Sequence, residues 1–189
     1  MGQLFDLDRN YKKYKIKLQT IFRALICKEN KKLVSGFGFY LRARNLNDKN
    51  WKIFYYEFYK IGLSKPNCAF LDGYLELIDK ASSEGIKDTE QFFNYATNLL
   101  KNKTGKRYIS YITKLIHTFD CSFPIIDKKV KDFFGYKSEF NFEIIMMIKN
   151  FYDKFSKDCE QLIKTFKDKY KMTDSISSTK TIDFAIWAK

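Results

Sequence analysis

Apolar residues recur at three- and four-residue intervals along most of this chain, and only two prolines, Pro66 and Pro124, interrupt its 189 residues. That period lines up one face of a 3.6-residue helix and departs from the two-residue alternation of a strand. The expectation is an all-α protein. Helices are predicted at about 8–28, 48–62, 67–82, 89–101, 106–119, 127–134, 139–171 with a break near Ser156, and 179–188. Asp48, Asn67, Thr89, Asp127, Ser138 and Ser178 are the expected N-caps, because their oxygens can accept from the free amides of a first turn. The segment Leu33-Val-Ser-Gly-Phe-Gly-Phe-Tyr-Leu41 is less helical and reads as a loop or short extended piece that packs aromatics. Its Gly-x-Gly lacks the third glycine and the strand–helix setting of a dinucleotide loop.

The length suits one domain or two small helical lobes sharing a cleft, and suffices for a substantial core. No repeat is present. Thr173-Asp-Ser-Ile-Ser-Ser-Thr179 reads as a linker, after which Ile182, Ala185, Ile186 and Trp187 form a stripe that docks the C-terminal helix. Trp51, Phe54, Tyr55 and Phe58 share a face that fits a buried helix, although such a cluster can also stack on unpaired bases. Phe142, Ile145, Met146, Ile148, Phe155, Cys159, Leu162 and Phe166 read as core in the same way.

A formal charge of +13 makes polyanions the natural partners, nucleic acid first and anionic membrane surfaces second. Part of that charge is compositional, since lysine, Phe, Tyr, Ile and Asn are abundant together, as AT-rich coding produces. Cys27, Cys68, Cys121 and Cys159 are far apart, so no metal site is expected and buried reduced thiols are. The N-terminus lacks a signal-like basic and apolar succession, Gly2 lacks the hydroxyl of a lipidation signal, and no apolar run is long enough to span a bilayer. The residues therefore suggest a soluble, cytoplasmic protein without membrane partners, and they assign neither a cofactor nor an oligomeric state.

The chemistry-bearing stretch is Ser110-Tyr-Ile-Thr-Lys-Leu-Ile-His117, followed by Phe123-Pro-Ile-Ile-Asp127. At about 100° per residue, Ser110, Lys114 and His117 share one side of a helix, opposite Ile109, Ile112, Leu115, Ile116 and Phe119. Pro124 ends that helix, and Asp127 stands where the next begins. Ahead of it, Lys101-Asn-Lys-Thr-Gly105-Lys-Arg107 forms a basic turn before a helix start, where free amides and the helix dipole favour a phosphate. Lys103, Gly105, Lys106 and Arg107 are the DNA-backbone candidates. Lys128 and Lys129 extend the track beyond Asp127, with Ser110 and His117 as further contacts; Arg42 and Arg44 are candidates on the other lobe.

Residues 99–135 resemble the helix-hairpin-helix DNA glycosylase superfamily, particularly its 8-oxoguanine-glycosylase-like branch, through the helix, Pro-x-x-Asp turn and following helix. The resemblance implies a two-lobed helical domain: an N-terminal lobe 1–88, a hairpin lobe 89–172, and a linker with docking helix 173–189. It implies Asp127 as the essential carboxylate, DNA as the partner, and a base rotated out of the duplex. The chain departs from the family where Gly105 stands without the hairpin's second glycine, and where the strand-cleaving lysine of some members falls on Tyr108.

An ionised carboxylate beside a breaking N-glycosidic bond stabilises the positive charge that develops on the sugar. Asp127 is thus the expected catalytic residue, with Lys114 as an assistant: an amine for Schiff-base chemistry or a cation fixing Asp127 or a phosphate. Each residue also has a structural reading. Asp127 can simply cap a helix, Lys114 can be solvated, and the lone His117 can be structural. A non-catalytic nucleic-acid-binding protein on the same scaffold, or a helical partner-binding module, are the alternatives.

Overall fold

The computed structural model describes residues 6–27, 30–61 and 68–189, excepting the side chains of 31–35. Those residues form ten α-helices and no strand, as the periodicity requires. In chain order they are α1 (Tyr11–Cys27), α2 (Lys31–Arg44), α3 (Trp51–Tyr59), α4 (Cys68–Glu84), α5 (Thr89–Thr104), α6 (Ile109–Phe119), α7 (Lys128–Phe134), α8 (Phe142–Asp158), α9 (Glu160–Lys169) and α10 (Ser178–Ala188). No described helix is long and apolar enough to cross a membrane.

The chain divides into two compact units, Met1–Ser35 with Cys121–Lys189 and, separately, Gly36–Asp120. These are not the lobes expected with boundaries at 88 and 172. The difference arises because α1 packs on α9 and α10, so both ends of the sequence belong to one unit, a pairing that no linear cut along the chain reveals.

In the first unit α10 is central, packing on α1, α7, α8 and α9. Every residue from Thr179 to Ile186 is buried. The tract ahead of it is no linker: Ile176 is buried, and the Ser177 hydroxyl donates to the Cys121 carbonyl (2.8 Å) while accepting from the Lys180 amide (3.1 Å). The expected apolar stripe holds for Ile182, Ala185 and Ile186, but Trp187 is 53% exposed. Phe22 of α1 packs against Phe155 and Phe166, with ring centroids 5.8 and 4.9 Å away. The predicted long helix 139–171 breaks at Cys159 (φ −129°, ψ 29°) instead of Ser156. Its buried face uses Ile163 where Leu162 was expected, Leu162 being half-buried. Two side chains of α1 close the C-terminal end of α7, the Tyr14 hydroxyl donating to the Phe134 carbonyl (2.7 Å) and the Lys17 ammonium to that of Phe133. Cations and donors belong at that end, where carbonyls lack helical partners.

In the second unit the segment expected to be a loop is helical. Within α2, Phe37, Tyr40 and Ala43 recur at helical spacing and are all buried. Each glycine in a helix interior costs about 1 kcal/mol relative to alanine, whereas burying one large apolar side chain contributes about 1.5–3 kcal/mol, so packing prevails. Helices α4 and α5 approach closely at Gly73, where a Cβ would stand only 2.9 Å from Lys103 Cδ and 3.1 Å from Leu100 Cδ2. The aromatic run of α3 is mainly core, burying Trp51, Tyr55 and Tyr59, with Phe54 and Phe58 half-buried.

N-cap positions shift by short steps from those expected. Asp88, Asn141 and Ser177 cap α5, α8 and α10 where Thr89, Ser138 and Ser178 were expected. Asp48 accepts from the Asn50 amide (2.8 Å) just ahead of α3, and Asn67 lies outside the described residues. The thiols depart from expectation too: Cys159 is buried, but Cys27 and Cys68 are exposed and Cys121 is half-buried.

Candidate carboxylate site at the head of a short helix

Phe123, Pro124, Ile125 and Ile126 are all buried, so the turn that delivers Asp127 is anchored by four consecutive apolar side chains. Asp127 itself is extended (φ −121°, ψ −175°) and half-buried. Its Oδ1 accepts from the Val130 amide at 3.0 Å, which makes it the N-cap of α7. The helix-cap reading of this residue is therefore realised, and its carboxylate stands at the positively polarised end of α7.

A second carboxyl lies near this one. Asp183 of α10 is only 6% exposed; its Oδ1 accepts from the Tyr152 hydroxyl (3.1 Å) and its Oδ2 from the Ile125 amide (3.4 Å). Burial pushes the Asp183 carboxyl up to about 7; the cation of Lys180 opposes the rise, the negative charge of Asp127 adds to it, and the Ile125 amide and Tyr152 hydroxyl oppose it. Burial, with Asp183 and Asp127 nearby, likewise raises the Tyr152 hydroxyl well above its ordinary range, so it remains a donor. Lys180 is 5% exposed, with its ammonium 4.7 Å from the centre of the Phe184 ring.

Asp127, Asp183, Lys180 and Tyr152 thus form a cluster in which a half-buried carboxylate is backed by a carboxyl whose pKa is raised by burial. Such a cluster can stabilise positive charge at its open side and hold a proton at its closed side. The sequence reading missed Lys180, Asp183 and Tyr152. The available signal was a lysine and an aspartate spaced i, i+3 within a segment apolar on several sides, the pattern of a helix buried all round. A charged residue in such a helix is nearly always paired.

The other candidates belong to the second unit, apart from Lys128 and Lys129. Helix α6 does not present a solvated polar face, because Ile112, Thr113, Leu115, Ile116, His117 and Thr118 are all buried. His117 is fully enclosed, its Nε2 2.7 Å from the Tyr40 hydroxyl, which removes it from the phosphate-contacting set. Its polar atoms are satisfied within the fold. Lys114 is half-buried, with its ammonium 5.0 Å from the centre of the Tyr111 ring and 5.6 Å from that of Tyr59; Ser110 is half-buried as well.

Helices α5 and α6 do form a hairpin across Gly105–Tyr108. Gly105 takes the left-handed conformation (φ 77°) that ends α5, and Tyr108 is also left-handed (φ 49°) at the head of α6. Two hairpin amides are used internally, that of Gly105 by the Lys101 carbonyl (2.7 Å) and that of Lys106 by the Thr104 hydroxyl (3.1 Å). Lys106 is exposed, Arg107 is half-buried, and Lys103 pairs with Glu76 at 3.2 Å. Arg42 lies 5.5 Å from the Phe54 ring centre, and Arg44 donates to the Thr118 carbonyl at 3.4 Å. In the first unit Lys128 and Lys129 are exposed, with Lys128 paired to Asp132 at 2.8 Å.

No family model matches the sequence, and no curated protein or solved structure matches it either.

Proposed function

We propose that this chain is a DNA-binding protein of the helix-hairpin-helix glycosylase kind, hydrolysing the N-glycosidic bond of a damaged base flipped from the duplex. One observation carries the reading: Asp127 stands at the end of a fully anchored Pro-x-x-Asp turn, with its side chain only half covered. A carboxylate so fixed is pre-organised to meet positive charge developing at a sugar carbon. The α5–α6 hairpin and the exposed Lys106, Lys128 and Lys129 support a DNA backbone as partner.

Within this reading Asp127 acts at the reacting sugar and Lys114 assists it, a role that strand cleavage by Lys114→Ala tests separately. A second reading, non-catalytic nucleic-acid binding, is favoured by the hairpin itself, whose Gly105 and Lys106 amides are engaged inside the protein. Release of free base from duplexes carrying a panel of damaged bases, followed with the wild-type chain, separates the two. Base release from any of them supports excision. Salt-sensitive binding without release supports the second reading.

A further inference from the structure

We propose that Asp183 is a positioning residue for Asp127, bracing the Phe123–Asp127 turn through the Ile125 amide from the buried helix α10. The proposal rests on the excision reading for its catalytic meaning and on geometry for its structural meaning. Ile125 is two residues before Asp127, and its amide is held by a carboxylate oxygen on a different helix, α10. That helix cannot drift, since it is buried along Thr179–Ile186 and Asp183 is also fixed by the Tyr152 hydroxyl of α8. The brace therefore ties the Pro124 turn to the interior of the unit.

Burial raises the pKa of the enclosed Asp183, and the nearby charge of Asp127 adds to that rise. Asp183 is enclosed whereas Asp127 is half exposed and caps a helix whose dipole favours negative charge. The groups acting on Asp183 are Lys180 on its own helix, Tyr152 on α8 and Asp127 at the head of α7. Of the other helices packed on α10, α1 brings Lys17 into the field of Lys189 at the far end, and α9 buries Ile163 and Phe166. A turn held from a second helix keeps the Asp127 carboxylate in one place, which is what an electrostatic catalyst needs.

The test combines the pH titration of aspartate ¹³Cγ and Ile125 amide signals with base release by the wild type, Asp183→Asn and Asp183→Leu. In the wild type, Asp183 and the Ile125 amide are expected to titrate together near neutrality. Asp183→Asn, a neutral isostere, should abolish the Ile125 inflection and keep turnover within about threefold, whereas Asp183→Leu, which removes the acceptor, should lower turnover about a hundredfold with little change in KM. An Ile125 amide indifferent to pH overturns the proposal, as does an Asp183→Leu variant as active as wild type. A wild type that releases no base while Asp183 and Ile125 titrate together supports the brace and defeats the excision reading, so the two failures are distinct.

Discussion

Helices α6 and α10 are both largely buried, and both carry ionisable side chains inward, yet they differ in what those side chains meet. On α6 the enclosed His117 has its Nε2 2.7 Å from the neutral hydroxyl of Tyr40. On α10 the enclosed Asp183 meets a hydroxyl, a backbone amide, the cation of Lys180 and the field of the half-open Asp127. A buried polar group closed off by a neutral partner stabilises a fold. A buried charge system with one member reaching toward solvent is where proton and charge chemistry can be done. Helix α6 is the more conspicuous in sequence, whereas α10 carries the larger set of interacting buried ionisable groups.

The comparison can be attacked first through packing. Ile182→Ala in α10 and Leu115→Ala in α6 each empty a fully buried position and are expected to destabilise by about 2–5 kcal/mol, measured by urea unfolding. A much smaller loss at Ile182 would mean that α10 is a peripheral docking helix after all.

Next in size is a pH effect confined to α10. The native Asp183 carboxyl is raised to about 7, whereas an unfolded aspartate titrates near 3.9. The native state therefore binds the proton more firmly, so this group's contribution is fully present below about pH 4 and is lost as pH rises through about 7. Relative to Asp183→Asn, the wild type should lose stability on the order of a few kcal/mol across that interval. Parallel curves for the two proteins would remove Asp183 as the titrating group.

A smaller effect is expected on α6. Tyr40→Phe removes the partner of His117 Nε2 and should destabilise by about 1–3 kcal/mol without altering DNA affinity. A specific loss of binding would return His117 to the functional set. Smallest in stability is Lys129→Ala, at an exposed position of α7, for which no change in melting is expected. Its expected signature is a fall of about one in the slope of log affinity against log salt.

What the sequence made legible was whatever depends on near neighbours. The all-helical class follows from apolar spacing, and the cap at Asp127 follows from a proline three residues before a helix start. Helix α2 was hidden because Gly36 and Gly38 speak against a helix locally, while burial of Phe37 and Tyr40 speaks for it only in the folded chain. Thr173–Thr179 has the composition of a linker, and only the Cys121 carbonyl across the unit reveals Ser177 as a fastener. Asp183 was missed for the same reason: Ile125, Tyr152 and Asp127 are remote in sequence, and their convergence is a tertiary fact. His117 and Ser110–Lys114–His117 as a polar stripe were over-read, since a polar residue on a helical wheel can face another helix as readily as water.

In the proposed function it is the negative charge of Asp127, beyond its capping oxygen, that performs base excision. Single-turnover base release by wild type and Asp127→Asn addresses it directly, because asparagine still caps a helix but carries no charge. Both proteins are expected to melt alike and bind duplex alike, with base release in the variant reduced by about a hundredfold or more. Base release undiminished by Asp127→Asn, or a wild type inert on every damaged duplex, would contradict it.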